Sequence, residues 1–320
     1  MTKDWRVLIG SKSFGQAFPD HLMELEKAGC EVIPNGVGGR AYRETELLEA
    51  LKGVDAIVTG TDELTARVIN AADCLKTIAK HGVGLETIDV AAAKARGISI
   101  SSTPGAIHDS VADLTMALLL AVVRHIVPTH LNTKQGGWKS PFGVELKDKL
   151  MGIVGLGRIG KGVAIRAKGF GMKLAAFDPY PDQVFAADHG IEFMELDDLL
   201  RTADVISLHA AAEQIEETLI HAERIHMMKP TAFFLNTARG SLVDEVALAT
   251  ALREKRLAGA GLDAFVNEPP VNSPLLELDN VVLTPHMAGR TFDGVRRMGE
   301  ITIENCLRGL RGETPMYPVT

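Results

Sequence analysis

The chain has 320 residues, 46% of them hydrophobic and 23% charged, a globular balance with length enough for two domains, each able to bury a core. A formal net charge of −7 offers no basic footprint for DNA, RNA or an anionic membrane. Cys30, Cys74 and Cys306 lie far apart with no Cys/His cluster, which reads as thiols of a reducing compartment and no metal centre.

The first residues lead directly into a strand pattern, so no secretory leader is expected. The longest apolar run, Met116 to Val123, is too short to span a bilayer, and a cytoplasmic protein is expected. Strand-like runs at Trp5–Ile9, Glu31–Ile33, Ala56–Val58, Thr77–Ala79 and Ile98–Ser101 alternate with helical patterns at His21–Ala28, Glu44–Leu51, Thr65–Asn70 and Val90–Ala95. That alternation predicts parallel βαβ units and an open α/β sheet. Ser102-Thr103-Pro104-Gly105 breaks the series with turn residues. A long helix is expected from Ser110 to Val127, closed by Pro128, and its apolar faces predict burial. The polar, irregular stretch 132–147 reads as an arm.

From Lys149 a second series begins. Leu150 to Val154 reads as a strand, and Gly155, Gly157 and Gly160 then form Gly-x-Gly-x-x-Gly at the start of a helix over Ile159–Phe170. Gly155 suits a sharp turn, Gly157 leaves room for a pyrophosphate, and Gly160 lets the helix pack close on the sheet. A strand at Lys173–Phe177 ends in Asp178, 18 residues past Gly160, near the ~20 expected for a carboxylate on the adenosine ribose. Further strands are expected at Val205–Leu208, Ala232–Leu235, Gly259–Leu262 and Val281–Leu283, with helices at Leu196–Arg201, Glu223–Met227 and Glu245–Glu254. The last helix, Asp293 to Leu310, is expected to return to the first sheet. The dinucleotide domain is then an insertion, 104–289 with the long helix and arm 108–148, inside a domain of 1–103 plus 290–320, with crossovers near Thr103 and Ala288.

Ligands of such sheets sit beyond the carboxyl ends of the strands. The residues there are Asp178, His209, Asn236-Thr237-Ala238-Arg239-Gly240, Asp263, Glu268 and His286. Arg239, between small neighbours, suits a substrate carboxylate, which a guanidinium meets with two parallel hydrogen bonds. His286 can exchange a proton near neutral pH, and Glu268 becomes interesting as a partner that stabilises its imidazolium.

Gly-Leu-Gly-Arg-Ile-Gly, Asn-Thr-Ala-Arg-Gly-Ser-Leu-Val-Asp, Gly-Leu-Asp-Ala-Phe-x-x-Glu-Pro and Thr-Pro-His, with His81-Gly-Val-Gly-Leu-Glu-Thr-Ile-Asp89 and Thr103-Pro-Gly105, resemble the D-isomer-specific 2-hydroxyacid dehydrogenase family across the whole chain. The resemblance is nearest to its D-3-phosphoglycerate dehydrogenase branch. It implies an α/β chain of two doubly wound parallel-sheet domains, a flavodoxin-like substrate domain with an inserted NAD-binding Rossmann domain. It also implies a homodimer joined through the Rossmann domains and the long helix. Arg239 would orient substrate, His286 act as acid/base and Glu268 as its partner, and the amides of Val83 and Gly84 would hold the substrate carboxylate. Arg158 and Ile159 would meet the pyrophosphate, Asp178 and Pro179 the adenosine ribose. Ala210, Thr237, Asp263 and Gly289 would line the nicotinamide half, and His209, Ala238, His286 and Ala288 would also contact the cofactor.

In the implied reaction, neutral His286 takes the proton of a 2-hydroxyl while C2 gives hydride to NAD, and the reverse reduces a 2-oxo acid. Asp178-Pro179-Tyr180-Pro181 puts a carboxylate where a 2′-phosphate would sit, which favours NAD over NADP. Where phosphoglycerate enzymes often have an arginine after the third strand, this chain has Asp62 and Glu63, although Lys12, Arg40, Lys80 or His81 could supply positive charge. Glyoxylate or hydroxypyruvate reduction is therefore the enzymatic alternative. The chain stops at Thr320 without the regulatory module of the long phosphoglycerate enzymes, so serine feedback is not expected. An NADH-sensing corepressor shares the fold and is the reading from another class.

Overall fold

The computed structural model describes residues 4–212 and 217–319. The chain divides into two compact units, Met1–Ile107 with Arg290–Thr320, and His108–Gly289.

In the first unit β1 (Trp5–Ile9), β2 (Cys30–Ile33), β3 (Ala56–Thr59), β4 (Thr77–Lys80) and β5 (Ser99–Ser101) form a parallel sheet in the order β2-β1-β3-β4-β5. This is the flavodoxin-like doubly wound order. Alternation along the strands serves two apolar layers. Val7, Ile9, Ala56 and Val58 face Leu25 of α1 (Asp20–Lys27) and Ile303, Cys306 and Leu307 of α12 (Phe292–Leu310). Leu8, Ile57, Ile78 and Ile100 face Leu47 of α2 (Glu44–Ala50), Val68 and Ile69 of α3 (Ala66–Ala71) and Ala93 of α4 (Val90–Ala95). The last helix thus packs on the first sheet.

In the second unit β6 (Leu150–Val154), β7 (Lys173–Phe177), β8 (Ile191–Phe193), β9 (Val205–Leu208), β10 (Phe233–Asn236), β11 (Gly259–Leu262) and β12 (Val281–Leu283) pair in parallel in the order β12-β11-β10-β9-β6-β7-β8. The chain winds outward from β6 to β8, then crosses back to start β9 on the other side of β6. The switch point therefore lies between β6 and β9, where a nucleotide-binding sheet opens its crevice.

One expectation fails here. The helix predicted to run from Ser110 to Val127 is two helices, α5 (His108–Val123) and α6 (Ile126–Lys134), bent by 63°. His125 turns left-handed at φ 51, and Pro128 lies in the first turn of α6 instead of ending a helix. First-turn N–H groups have no intrahelical acceptor, so the missing proline N–H costs nothing there. The arm consequently begins as ordered helix. Among the described residues no single helix is long and apolar enough to cross a membrane.

Candidate active site

The switch point is built first from glycine. Gly155 leaves β6 at φ 94, and a Cβ there would lie 2.8 Å from the backbone of His209 and Ala210, which follow β9. Only a residue without a side chain lets these two strand ends approach so closely. Gly157 borders open space and caps α7 (Arg158–Gly169) without any side-chain acceptor. The first-turn amides, Arg158 and Ile159 among them, are therefore left at the positive end of the helix beside the open space at Gly157, where an anion is favoured.

Asp178, at the end of β7, accepts Leu156 N–H through Oδ2 at 2.7 Å and Tyr180 N–H through Oδ1 at 2.8 Å. These bonds fix the carboxylate beside the glycine turn, with lone pairs remaining on each oxygen for further donors. Pro179 follows it, exposed. His209 lies 2.7 Å from Ser207 Oγ through Nε2, while its Nδ1 is buried with no partner among the described residues. Burial pushes this imidazole down to about 3, so it is neutral at physiological pH. An orphaned buried ring nitrogen beside a glycine cradle is what a polar nucleotide ligand would satisfy. Thr237 is buried, its hydroxyl 2.9 Å from Thr115 Oγ1 of α5.

The His286–Glu268 pair is assembled by the loops after β11 and β12. His286 Nδ1 lies 2.7 and 2.9 Å from the two oxygens of Glu268, so the ring donates to the carboxylate and presents Nε2 outward. His286 sits at φ 50, a left-handed conformation that costs about 1–3 kcal/mol for a residue with a side chain. What holds it is Asp263, only 1% exposed. Its Oδ1 accepts Thr284 Oγ1–H at 2.6 Å and Met287 N–H at 2.9 Å, and its Oδ2 accepts Ala288 N–H at 2.8 Å. Gly289 closes the unit directly after this turn. Glu268 is held in turn by Phe265 N–H at 3.1 Å.

Arg239 stands in the turn after β10, which Asn236 shapes: its Oδ1 accepts Ala238 N–H at 2.9 Å and its Nδ2 donates to Arg239 O at 3.0 Å. A Cβ on Gly240 would lie 1.9 Å from the Phe265 carbonyl carbon. That glycine is what brings the turn carrying Arg239 against the loop carrying Glu268. Arg239, Glu268 and His286 thus come from three adjacent strand ends of one unit. Sequence reasoning placed Asp263 along the nicotinamide half but missed its clamp on the His286 turn. Asp263 and Thr284 stand 21 residues apart, and no local pattern signals the bond between them.

In the first unit, Val83 and Gly84 follow β4 in a turn whose Gly82 carbonyl accepts Thr103 N–H at 3.0 Å and Thr103 Oγ1–H at 3.1 Å. Neither the Val83 nor the Gly84 amide donates to an acceptor among the described residues. The two acids after β3 are spent on the fold. Asp62 is wholly buried and accepts Tyr42 N–H, Thr59 Oγ1–H and Gly60 N–H, while Glu63 accepts Glu44 N–H at the start of α2. Of the possible cations, Arg40 pairs with Glu46, His81 is a buried ring, and Lys80, 6% exposed, donates to Gly60 O.

Residues 116–288 match the profile of the D-isomer-specific 2-hydroxyacid dehydrogenase NAD-binding domain. The chain is 39% identical over 306 residues to a glyoxylate reductase of Thermofilum pendens, covering 93% of this chain and 90% of that protein. It is 40% identical over 299 residues to a D-3-phosphoglycerate dehydrogenase of Methanocaldococcus jannaschii, covering 92% of this chain and 56% of that protein. Its fold superposes on the crystal structure of the TT0316 protein of Thermus thermophilus with a TM-score of 0.90, at 38% identity and with 98% and 100% of the two chains covered.

Proposed function

The chain belongs to the D-isomer-specific 2-hydroxyacid dehydrogenase family, and on that premise we propose that His286, Glu268 and Arg239 are the groups with which it interconverts a small D-2-hydroxy acid and its 2-oxo acid. It is an NAD-dependent oxidoreductase. The glycine turn at Gly155 and Gly157, the bare α7 N-terminus, Asp178 and the unpartnered Nδ1 of His209 suit NAD. The chemistry that NAD would supply there is hydride transfer.

The single observation that carries the reading is the His286–Glu268 bond. With Nδ1–H committed to the carboxylate, Nε2 takes the proton of the 2-hydroxyl in oxidation and returns it to the 2-oxo oxygen in reduction. Glu268 stabilises the imidazolium formed in between. The Arg239 guanidinium fixes the carboxylate and the reacting oxygen, which presents one face of C2. The amides of Val83 and Gly84 take the other carboxylate oxygen. In this reading the unit Met1–Ile107 with Arg290–Thr320 binds substrate and His108–Gly289 binds NAD.

The leading substrate reading is phosphoglycerate dehydrogenase-like, with glyoxylate or hydroxypyruvate reduction as the alternative. Asp62 and Glu63 do not argue against a phosphorylated acid, because their oxygens already serve backbone donors. NADH oxidation measured across glyoxylate, hydroxypyruvate, 3-phosphohydroxypyruvate and pyruvate tests the assignment. The expected result is one dominant kcat/KM, and no turnover of any of these compounds contradicts it.

The chain works as a homodimer and in the cytoplasm in this account. Trp138 is 90% and Phe142 100% exposed, and Ile126, Val127 and Leu131 of α6 are exposed too, apolar side chains that a second copy would cover. The unpaired cysteines suit a reducing compartment.

A further inference from the structure

The turn that offers Val83 and Gly84 begins at His81, whose side chain points away from it into the core of the first unit. His81 Nδ1 lies 3.2 Å from Thr302 Oγ1 on α12. The Thr302 hydroxyl already donates its one hydrogen to Met298 O at 2.7 Å, so in the contact with His81 the ring must be the donor. That puts a proton on Nδ1. Burial, with His21 and Lys80 nearby, pushes this imidazole down to about 3, in keeping with a ring that stays neutral. The edge of the ring also meets Phe14, from the loop after β1, with centroids 5.3 Å apart and planes at 85°.

Backbone hydrogen bonds tie the turn at His81 and at Gly82. His81 N–H donates to Thr59 O at 2.8 Å, and Thr103 holds the Gly82 carbonyl. Gly82 itself sits at φ 150, where the chain has little preference of its own. These ties leave the Val83 and Gly84 amides unheld, and the His81 side chain is a further tether, from the turn to α12.

We propose that His81 is a positioning residue: its bond to Thr302 and its packing on Phe14 anchor the Gly82–Val83–Gly84 turn to α12 and so aim the two amides that take the substrate carboxylate. The inference rests on the functional reading above, in which those amides bind substrate. Loss of the bond should act on 2-oxo acid binding and spare the chemistry and the cofactor.

The test is steady-state kinetics of the full chain with glyoxylate and hydroxypyruvate, alongside thermal unfolding. His81→Phe keeps an aromatic ring but removes the donor, and should raise KM for the 2-oxo acid about five- to tenfold, the worth of one such hydrogen bond. Its kcat and its KM for NADH should stay near wild type. His81→Asn places an amide N–H close to where Nδ1 was, so it should restore KM although its smaller side chain leaves it the less stable protein. A role in stability alone would order the two variants the other way. Thr302→Val and Thr302→Ser read the same bond from its acceptor side and serve if His81→Phe does not fold; valine should raise KM and serine should not. An unchanged KM in His81→Phe or in Thr302→Val, or a KM that tracks stability in both pairs, overturns the positioning role. A wild-type chain that reduces no 2-oxo acid removes the functional reading itself.

Discussion

Asp263 brackets His286: its buried carboxylate binds Thr284 on one side of the histidine and Met287 and Ala288 on the other. The left-handed turn at His286 is thus imposed from below by one charge with three donors, and the ring is delivered to Glu268 as a consequence. Hydrogen bonds to a charged group are worth about 1.5–3 kcal/mol each, enough to offset the strain of that turn.

Asp263→Ala should therefore lower both stability and rate. Urea unfolding should show a loss of about 2–4 kcal/mol, because three donors lose one buried acceptor. kcat should drop by at least about tenfold through misplacement of His286. A variant with normal kcat would separate the clamp from catalysis.

Gly240→Ala tests how Arg239 and Glu268 are brought together. The added methyl would collide with the Phe265 carbonyl, so the loop bearing Glu268 must move. Overpacking of this kind costs about 1–3 kcal/mol. The expected result is reduced kcat with NADH affinity retained, read by fluorescence titration; wild-type kcat would mean that the close approach is incidental.

Asp178→Ala should weaken NADH binding by roughly tenfold, as one or two hydrogen bonds to a carboxylate are lost, and narrow the gap to NADPH. The ratio of the two dissociation constants is the readout. If that ratio stays put, the carboxylate is not on the ribose.

Acid should destabilise the fold through its buried histidines. His81 and His209 are both depressed to about 3 from the 6.5 of a free imidazole. Between those values the unfolded chain binds more protons than the folded one, so stability is full above about pH 6.5 and falls as pH drops toward 3. Each group can contribute up to about 1.4 kcal/mol per pH unit across that window. The midpoint of thermal unfolding should decline below pH 6.5, and His81→Asn should flatten the slope. An equal slope in that variant would contradict the assignment.

Much of this was legible in the sequence because period and punctuation are local. The parallel strands with apolar runs, the glycine turn after β6 and the acid after β7 all announce themselves within about thirty residues. The break at His125 did not, since nothing in an apolar stretch marks where a helix will turn left-handed, and Pro128 suits a helix start as well as a stop. A helix at Gln183–His189 and the strand β8 behind it were missed too, although Asp182 caps that helix and Gly190 ends it left-handed. Long-range ties escaped altogether. Asp62 read as a charge facing substrate, yet it is buried beneath Tyr42, Thr59 and Gly60, and Asp263 read as a cofactor contact without its hold on residues 284–288.

The central claim is that His286 moves the proton. The measurement that meets it most directly is kcat of His286→Ala with the preferred 2-oxo acid, paired with a titration of NADH binding to the same variant. The account predicts a fall of about 10²–10⁴ in kcat with NADH affinity almost unchanged. Turnover that survives at a comparable rate would contradict it, and the acid/base would have to be sought elsewhere.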